Sequence, residues 1–270
     1  MTKKERLKAY YRAPKSDETL VIQRLVNSEN HHIKEYSAQE HTAVVYQVRP
    51  FRLEHPHSAI YKKPVEIGKG SAERETLYTP DGRLYCDYLL EDGRKGQVVK
   101  RYVKKQEALK TLLFYLKDIK VYWDQFAYDR AVELVGDEGL VEVALSRSPY
   151  ENLAQYMEAS LLKSLFKAED KLLMKCLKEL TRIMKEEIAC LAKASIYGDI
   201  HLAYVDDAIG SGMDEALYAT YYRKTYDMIL KACPDIRLIV SAKDSLPEDM
   251  TKGILWDSEA EDAEAIEPSA

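Results

Sequence analysis

Long apolar runs, paired cysteines and an excess of charge of one sign are all missing from this sequence. No apolar stretch approaches the roughly 20 residues that a membrane-spanning helix requires, and the charged start at residues 1–7 is followed by no apolar segment like that of a signal peptide. Six of the 45 acidic residues lie in residues 253–270, which hold none of the 40 lysines and arginines, so the rest of the chain is close to neutral. This balance gives no electrostatic footprint for nucleic acid or an anionic membrane. We therefore expect a cytoplasmic protein with neither kind of partner.

Motifs for metals and nucleotides are scarce as well. The four cysteines are far apart and form no CxxC pair, which argues against a disulfide framework and against a zinc knuckle. The histidine pairs within residues 31–32 and 55–57 lack a third ligand at a supporting spacing. The glycine pairs within residues 68–70 and 210–212 lack the other glycines of a nucleotide-binding loop. We predict no metal site and no directly bound cofactor.

The first part of the chain combines short helices with an antiparallel segment. Residues 3–12 and 17–28 are amphipathic and predict helices, whereas residues 42–48 (TAVVYQV) predict a strand in a loop-rich stretch. From residue 73 to 103 the apolar pattern changes to period two and is broken by two Asp-Gly turns, which favour tight hairpins. A three-stranded antiparallel meander is therefore predicted. Its strands are residues 73–79, 83–90 and 97–103.

The second part alternates strands and helices, as a parallel sheet with helical crossovers does. Buried strands are predicted at residues 139–145 (GLVEVAL), 199–205 (DIHLAYV) and 236–240 (IRLIV). The predicted helices are residues 105–116, 122–135, 152–166, 171–195 and 215–233. The predicted domains are an N-terminal part of helices and β-meander (1–104), a barrel-type α/β part (105–250) and an acidic disordered tail (251–270).

Polar residues at the ends of the predicted parallel strands are the candidates for function, because ligands bind at the carboxyl ends of such strands. Adjacent Asp206 and Asp207 cannot both point the same way in an extended backbone, so one can face a ligand while the other caps the next turn, or both can simply begin that turn. Arg147 can clamp a carboxylate or phosphate, or form a surface ion pair. The predicted catalytic residues are Asp206 and Asp207, and the predicted substrate-binding residues are Arg147, Ser148, Tyr204, Ser241 and Lys243.

In the order and spacing of these segments, the chain resembles the uroporphyrinogen decarboxylase superfamily of (β/α)8 barrels. That superfamily includes the decarboxylase and methyltransferases that work with methylated corrinoid. The resemblance runs from about residue 66 to 246. It implies a parallel sheet derived from a TIM barrel. It also implies that Asp206 or Asp207 lies at the barrel mouth, as does Arg147. The segments that carry it are RETLYTPDG at 74–82, GDEGLVEVALSRSP at 136–149, the long helix, the strand ending in Asp206-Asp207, and LYATYYRK at 217–224.

Three departures from the family pattern limit this implication. Residues 1–50 lack the arginine-rich motif with which the decarboxylase grips substrate carboxylates. Residues 241–243 read Ser-Ala-Lys where the thiol-activating methyltransferases carry a His-x-Cys zinc pair. The strand–helix units also fall short of eight, so we expect an incomplete barrel, as in a C-terminally truncated fragment or a remnant that needs a partner.

The resemblance implies methyl transfer or demethylation of a small-molecule substrate, coupled to a corrinoid protein. Asp206 or Asp207 would accept or donate a proton, and Arg147 would bind an anion. The methyl chemistry belongs to the corrinoid that the partner supplies. Two alternatives stay open. One is decarboxylation of a tetrapyrrole-like acid, and the other is a non-catalytic ligand-binding role, which the missing zinc pair and the short barrel favour.

Overall fold

The computed structural model describes residues 2–12, 20–26, 32–39, 41–68, 70–91, 94–196, 198, 200–209, 214–242 and 254–258. The chain divides into two compact units, each assembled from separated segments. Unit 1 comprises residues 1–51, 123–147 and 187–270, and unit 2 comprises residues 52–122 and 148–186. The units therefore do not follow the predicted boundaries at residues 104 and 250, because the segments of unit 2 interrupt the chain of unit 1 twice.

The helices and strands are mixed along the chain. The strands are β1 (Val21–Val26), β2 (Thr42–Val48), β3 (Phe51–Glu54), β4 (Ala59–Ile67), β5 (Gly70–Thr79), β6 (Gly82–Glu91), β7 (Arg94–Lys100), β8 (Lys120–Trp123), β9 (Gly139–Ala144), β10 (His201–Ile209), β11 (Ile236–Ala242) and β12 (Leu255–Ser258). The α-helices are α1 (Lys3–Arg12), α2 (Ile33–Ser37), α3 (Leu109–Asp118), α4 (Gln125–Val135), α5 (Pro149–Tyr156), α6 (Ala159–Lys167), α7 (Lys171–Lys193), α8 (Glu215–Leu217) and α9 (Lys224–Ala232). A π-helical turn, Tyr218–Arg223, joins α8 to α9.

Unit 1 is built on a parallel sheet that curls into a half-barrel. Among the described residues the strand order is β1-β2-β9-β10-β11-β12, which is also their order in the chain. Strands of a parallel sheet that are covered on both faces are apolar almost throughout, and β2 is buried at every position except Gln47. The predicted mixed α/β class is confirmed.

One face of this sheet holds a hydrophobic cluster that α1 covers. Leu7 and Tyr11 of α1 pack with strand residues that alternate along the sheet, because every second side chain in a strand shares a face. The cluster fixes which strand positions lie on the face under α1 and therefore which polar residues share that face. Its strand members are Ala43, Val45, Leu140, Leu202 and Ile239.

Unit 2 contains an antiparallel sheet in the order β4-β5-β6-β7. The predicted meander corresponds to β5, β6 and β7, with the Asp81-Gly82 turn between the first two of them. Within this sheet, β4 was not predicted from the sequence, because it is exposed at most of its positions and has no apolar period. Helix α3 packs on β5 and β6 in the same unit.

Several predicted elements of unit 1 are corrected by the structure. Residues 21–26, predicted as part of a helix over 17–28, form β1 and pair in parallel with β2. The apolar run VIQRLV is too short for its periodicity to distinguish a strand from a helix. Its hydrogen-bonded pairing with β2 makes it a strand. Strand β10 runs on to Ile209, so Asp206 and Asp207 lie within it rather than after it. Residues 255–258, predicted as disordered tail, form β12 and pair with β11.

No helix in the described part of the chain has both the length and the apolar character needed to cross a membrane.

The pairing of β2 with β9 requires glycine at position 139. A Cβ there would overlap the carbonyl oxygen of Val44 and lie 2.7 Å from its carbonyl carbon, and backbone atoms cannot yield as a side chain can. We expect Gly139→Ala to lower the free energy of unfolding by at least about 2 kcal/mol, measured by urea denaturation. Gly70→Ala is the control, because its Cβ would make an ordinary 3.5 Å contact with Leu89. Equal stability of wild type and Gly139→Ala would contradict the close approach of these strands.

Candidate functional site

Three predicted residues meet at the carboxyl edge of the unit 1 sheet. Arg147 follows β9, Asp206 lies near the end of β10, and Ser241 lies near the end of β11, so they come from three neighbouring strands. The Arg147 guanidinium donates to Oδ2 of Asp206, and the Ser241 hydroxyl donates to Oδ1 at 3.1 Å. Side chains of Arg147 and Asp206 are 32% and 39% exposed, so both ions are accessible from solvent.

Asp207 has a different environment from its neighbour. Successive side chains of a strand point to opposite faces, and Asp207 is completely buried on the face away from Arg147. Its Oδ2 accepts a hydrogen bond of 2.8 Å from the hydroxyl of Tyr226, which lies in α9. The two predicted catalytic carboxylates are thus separated: Asp206 lies at an accessible edge, and Asp207 connects β10 to the helix packed behind it.

The remaining predicted residues are distributed differently. Tyr204, also on β10, is partly buried, and burial raises its pKa although a hydrogen bond with Ser241 opposes the shift. Ser148 belongs to unit 2, where it is buried and its carbonyl oxygen accepts from the amide of Asn152 at 2.8 Å in the first turn of α5. Lys243 lies outside the described residues.

A buried ion pair on the same sheet was not predicted. Glu142 of β9 is completely buried, and Arg24 of β1 donates to both of its oxygens, from Nε at 3.0 Å and from Nη2 at 3.2 Å. The side-chain amide of Gln47, on the intervening strand β2, donates at 3.1 Å. Burial raises the pKa of Glu142, and the charge of Arg24 opposes that shift. The Arg24 guanidinium also lies over the ring of Tyr204, 5.1 Å from its centroid.

A second unpredicted pair lies at the carboxyl edge itself. Arg49, just after β2, donates to Oε1 of Glu187 at 2.6 Å. Ser146, just after β9, donates to the same carboxylate from its hydroxyl and from its backbone amide, both at 2.8 Å. Glu187 is completely buried although its helix is rich in lysine and glutamate. The edge therefore carries two arginine–carboxylate pairs.

One sequence signal could have revealed the first of these pairs. Glu142 is the only charged residue in GLVEVAL, and Arg24 is the only one in VIQRLV. A charge within a buried strand must be paired, so each of these residues predicts an oppositely charged partner elsewhere in the chain. A similar signal marks Glu187, which lies four residues after Ile183 and four before Leu191, on the apolar face of its helix.

The chemistry available at the edge is the binding of an anion and the transfer of a proton. Guanidinium groups suit carboxylates and phosphates, a hydroxyl can donate or accept, and an accessible carboxylate can take up a proton. In the part of the chain that the structure describes, no group of three His, Cys, Asp or Glu side chains is arranged to hold a metal ion.

No family model, curated protein or solved structure gives a significant match to this chain.

The buried pair predicts a non-additive response to mutation. Arg24→Met leaves Glu142 buried without its counter-ion, and we expect a loss of about 3 kcal/mol in the free energy of unfolding. The double variant Arg24→Met/Glu142→Leu removes both charges and should lose less than half as much. Urea denaturation of the full chain measures both values.

The matched control is Arg52→Met in unit 2, because Arg52 is exposed and its ion pair with Glu54 lies at the surface. Such pairs contribute roughly 0 to 1 kcal/mol. A double variant as unstable as the sum of Arg24→Met and Glu142→Leu would show that the two charges do not stabilise each other.

Proposed function

We propose that the carboxyl edge of the half-barrel binds a small anionic molecule and acts on it, with Arg147 holding the anion and Asp206 exchanging a proton. The supporting observation is the convergence of Arg147, Asp206 and Ser241 from the ends of three adjacent parallel strands. Ligand sites of parallel α/β sheets lie at this edge. The partial exposure of both ions supports access by a substrate.

An incoming carboxylate or phosphate would compete with Asp206 for the Arg147 guanidinium. Because that guanidinium has five N–H donors, it can keep one bond to Asp206 and still bind the substrate. Release of one Asp206 oxygen would give a base at the substrate, with the Ser241 hydroxyl holding the other oxygen in place. Asp207 is assigned no chemical step, because its carboxylate is enclosed and bonded to Tyr226.

The reaction class comes from the resemblance to the uroporphyrinogen decarboxylase superfamily. We propose methyl transfer or demethylation on a TIM-barrel-derived scaffold, coupled to a corrinoid protein. The corrinoid supplies the methyl chemistry, and this chain supplies the substrate site and the proton. The consecutive strand order of the half-barrel is compatible with that derivation. Decarboxylation of a tetrapyrrole-like acid is the second enzymatic candidate, favoured by the pair of arginines, Arg49 and Arg147, at the edge that would receive its carboxylates.

Binding of cobalamin and of a porphyrinogen to the full chain tests these proposals. We expect the chain to bind cobalamin at micromolar concentration, and we expect Arg147→Met to weaken binding by about tenfold or more, the value of one charge-assisted hydrogen bond. Asp206→Asn removes the charge that competes for Arg147, so we expect it not to weaken binding. Asp227→Asn is the control, because Asp227 is an exposed carboxylate on α9 that pairs with Arg223 one helical turn away.

Each outcome decides between the candidates. Binding of cobalamin that depends on Arg147 supports methyl transfer, whereas binding of the porphyrinogen alone replaces it by the decarboxylase. If neither ligand binds, both enzymatic proposals fail and the non-catalytic role remains. Binding that is equally strong in wild type and in Arg147→Met would show that the ligand site is elsewhere.

A further inference from the structure

One face of the unit 2 sheet carries a row of charged side chains, one from each of its four strands. Lys63 of β4 lies opposite Arg74 of β5, Arg74 lies opposite Asp87 of β6, and Asp87 lies opposite Lys100 of β7. Residues paired in this way share a face and are neighbours on it. Within the row, Arg74 donates to both oxygens of Asp87, at 2.6 and 2.9 Å, and these two charges neutralise each other.

The cations converge on the ring of Tyr85, which lies on β6 beside Asp87. The guanidinium carbon of Arg74 lies 4.6 Å from the ring centroid, and the Nζ atoms of Lys100 and Lys104 lie 4.7 and 4.6 Å from it. Three cations within 5 Å of one ring are a dense positive group. We call Arg74, Tyr85, Lys100 and Lys104 the Tyr85 cluster.

Carboxylates of the described residues do not balance the charge of this cluster. Asp87 is the only described carboxylate ion-paired with it, and neither Lys100 nor Lys104 has a carboxylate within 4 Å among the described residues. Three positive charges and one negative charge leave an excess of two. Like charges this close repel one another, so the arrangement costs free energy unless a further anion is present.

The groups of the cluster shift one another's pKa values. A hydrogen bond from Lys100 and the charges of Lys104 and Lys100 lower the pKa of Tyr85. Desolvation lowers the pKa of Lys104, and its neighbour Lys100 lowers it further. The pKa of Lys100 is raised, chiefly by its hydrogen bond with Tyr85.

We propose that the Tyr85 cluster binds a phosphoryl dianion carried by a small molecule. A dianion matches the excess of two positive charges, arginine and lysine are the side chains that bind phosphate, and the Tyr85 hydroxyl adds a further donor. The two sources of such a group are free phosphate and a phosphate monoester. This site lies in unit 2 and uses none of the residues of the unit 1 edge, so it stands or falls independently of the proposed reaction.

Equilibrium dialysis of radiolabelled inorganic phosphate against the full chain, at constant ionic strength, tests the site. We expect saturable binding to one site that Lys100→Met and Lys104→Met each weaken by about tenfold. Tyr85→Phe keeps the ring and removes the hydroxyl, so we expect a smaller loss of about threefold. The conservative variant Lys104→Arg should retain binding.

Lys110→Met is the matched control, because the Lys110 side chain is 71% exposed, lies on α3 in the same unit and is not part of the cluster. Circular dichroism shows whether each variant is folded, and the exposed Lys104 and the partly exposed Lys100 are expected to tolerate substitution. Competition by phenyl phosphate distinguishes the sources: stronger competition than by unlabelled phosphate indicates a monoester, and weaker competition indicates free phosphate.

Two results would overturn the proposal. One is the absence of saturable phosphate binding, or binding of the same affinity in wild type, Lys100→Met and Lys104→Met. The other is a strong preference for a single-stranded oligonucleotide over both phosphate and phenyl phosphate, with steep salt dependence, which would assign the face to nucleic acid instead.

Discussion

The arrangement of unit 1 depends on one buried interaction, the pairing of Glu142 with Arg24. In the strand order β1-β2-β9, Arg24 reaches across the whole of β2 to a carboxylate on β9, and Gln47 of β2 completes the contact. A completely buried carboxylate would be strongly unfavourable without such partners. The interaction therefore ties three strands together on one face of the sheet and favours one register among them, because a shift of one residue would turn either charge to the opposite face.

The candidate site is a continuation of the same face towards the carboxyl edge. Tyr204 and Asp206 are two residues apart on β10 and therefore share a face, and Arg24 lies over the ring of Tyr204. Ser241 bonds to Asp206 from the next strand. The polar residues thus form successive layers along the strand direction. The enclosed layer is the pair Arg24–Glu142, and the accessible layer, nearer the carboxyl edge, is the pair Arg147–Asp206. The enclosed layer holds the strands in position, and the accessible layer has the exposure that a ligand site needs.

The sequence permits much of this arrangement to be predicted, and the failures have physical causes. Apolar runs identify β2, β9 and β11, and the rule that ligands meet strand ends selects Arg147, Asp206 and Ser241 before any coordinates are known. The rule cannot separate Asp206 from Asp207, because the choice depends on which face the neighbouring strands bury. The ion pair of Glu142 escapes prediction for a related reason, since its partner lies 118 positions away.

The segments of unit 2 divide the sheet of unit 1 along the chain. Gln47 and Glu142 are 95 positions apart, yet their strands are adjacent. During synthesis, β1 and β2 leave the ribosome well before their neighbour β9 exists, and β10 follows only after a second excursion. Parallel pairing over such distances slows folding, because loop-closure entropy is lost before the contacts form. Nascent chains that hold only β1 and β2 therefore present an unpaired strand edge, the state in which chaperone binding would matter most.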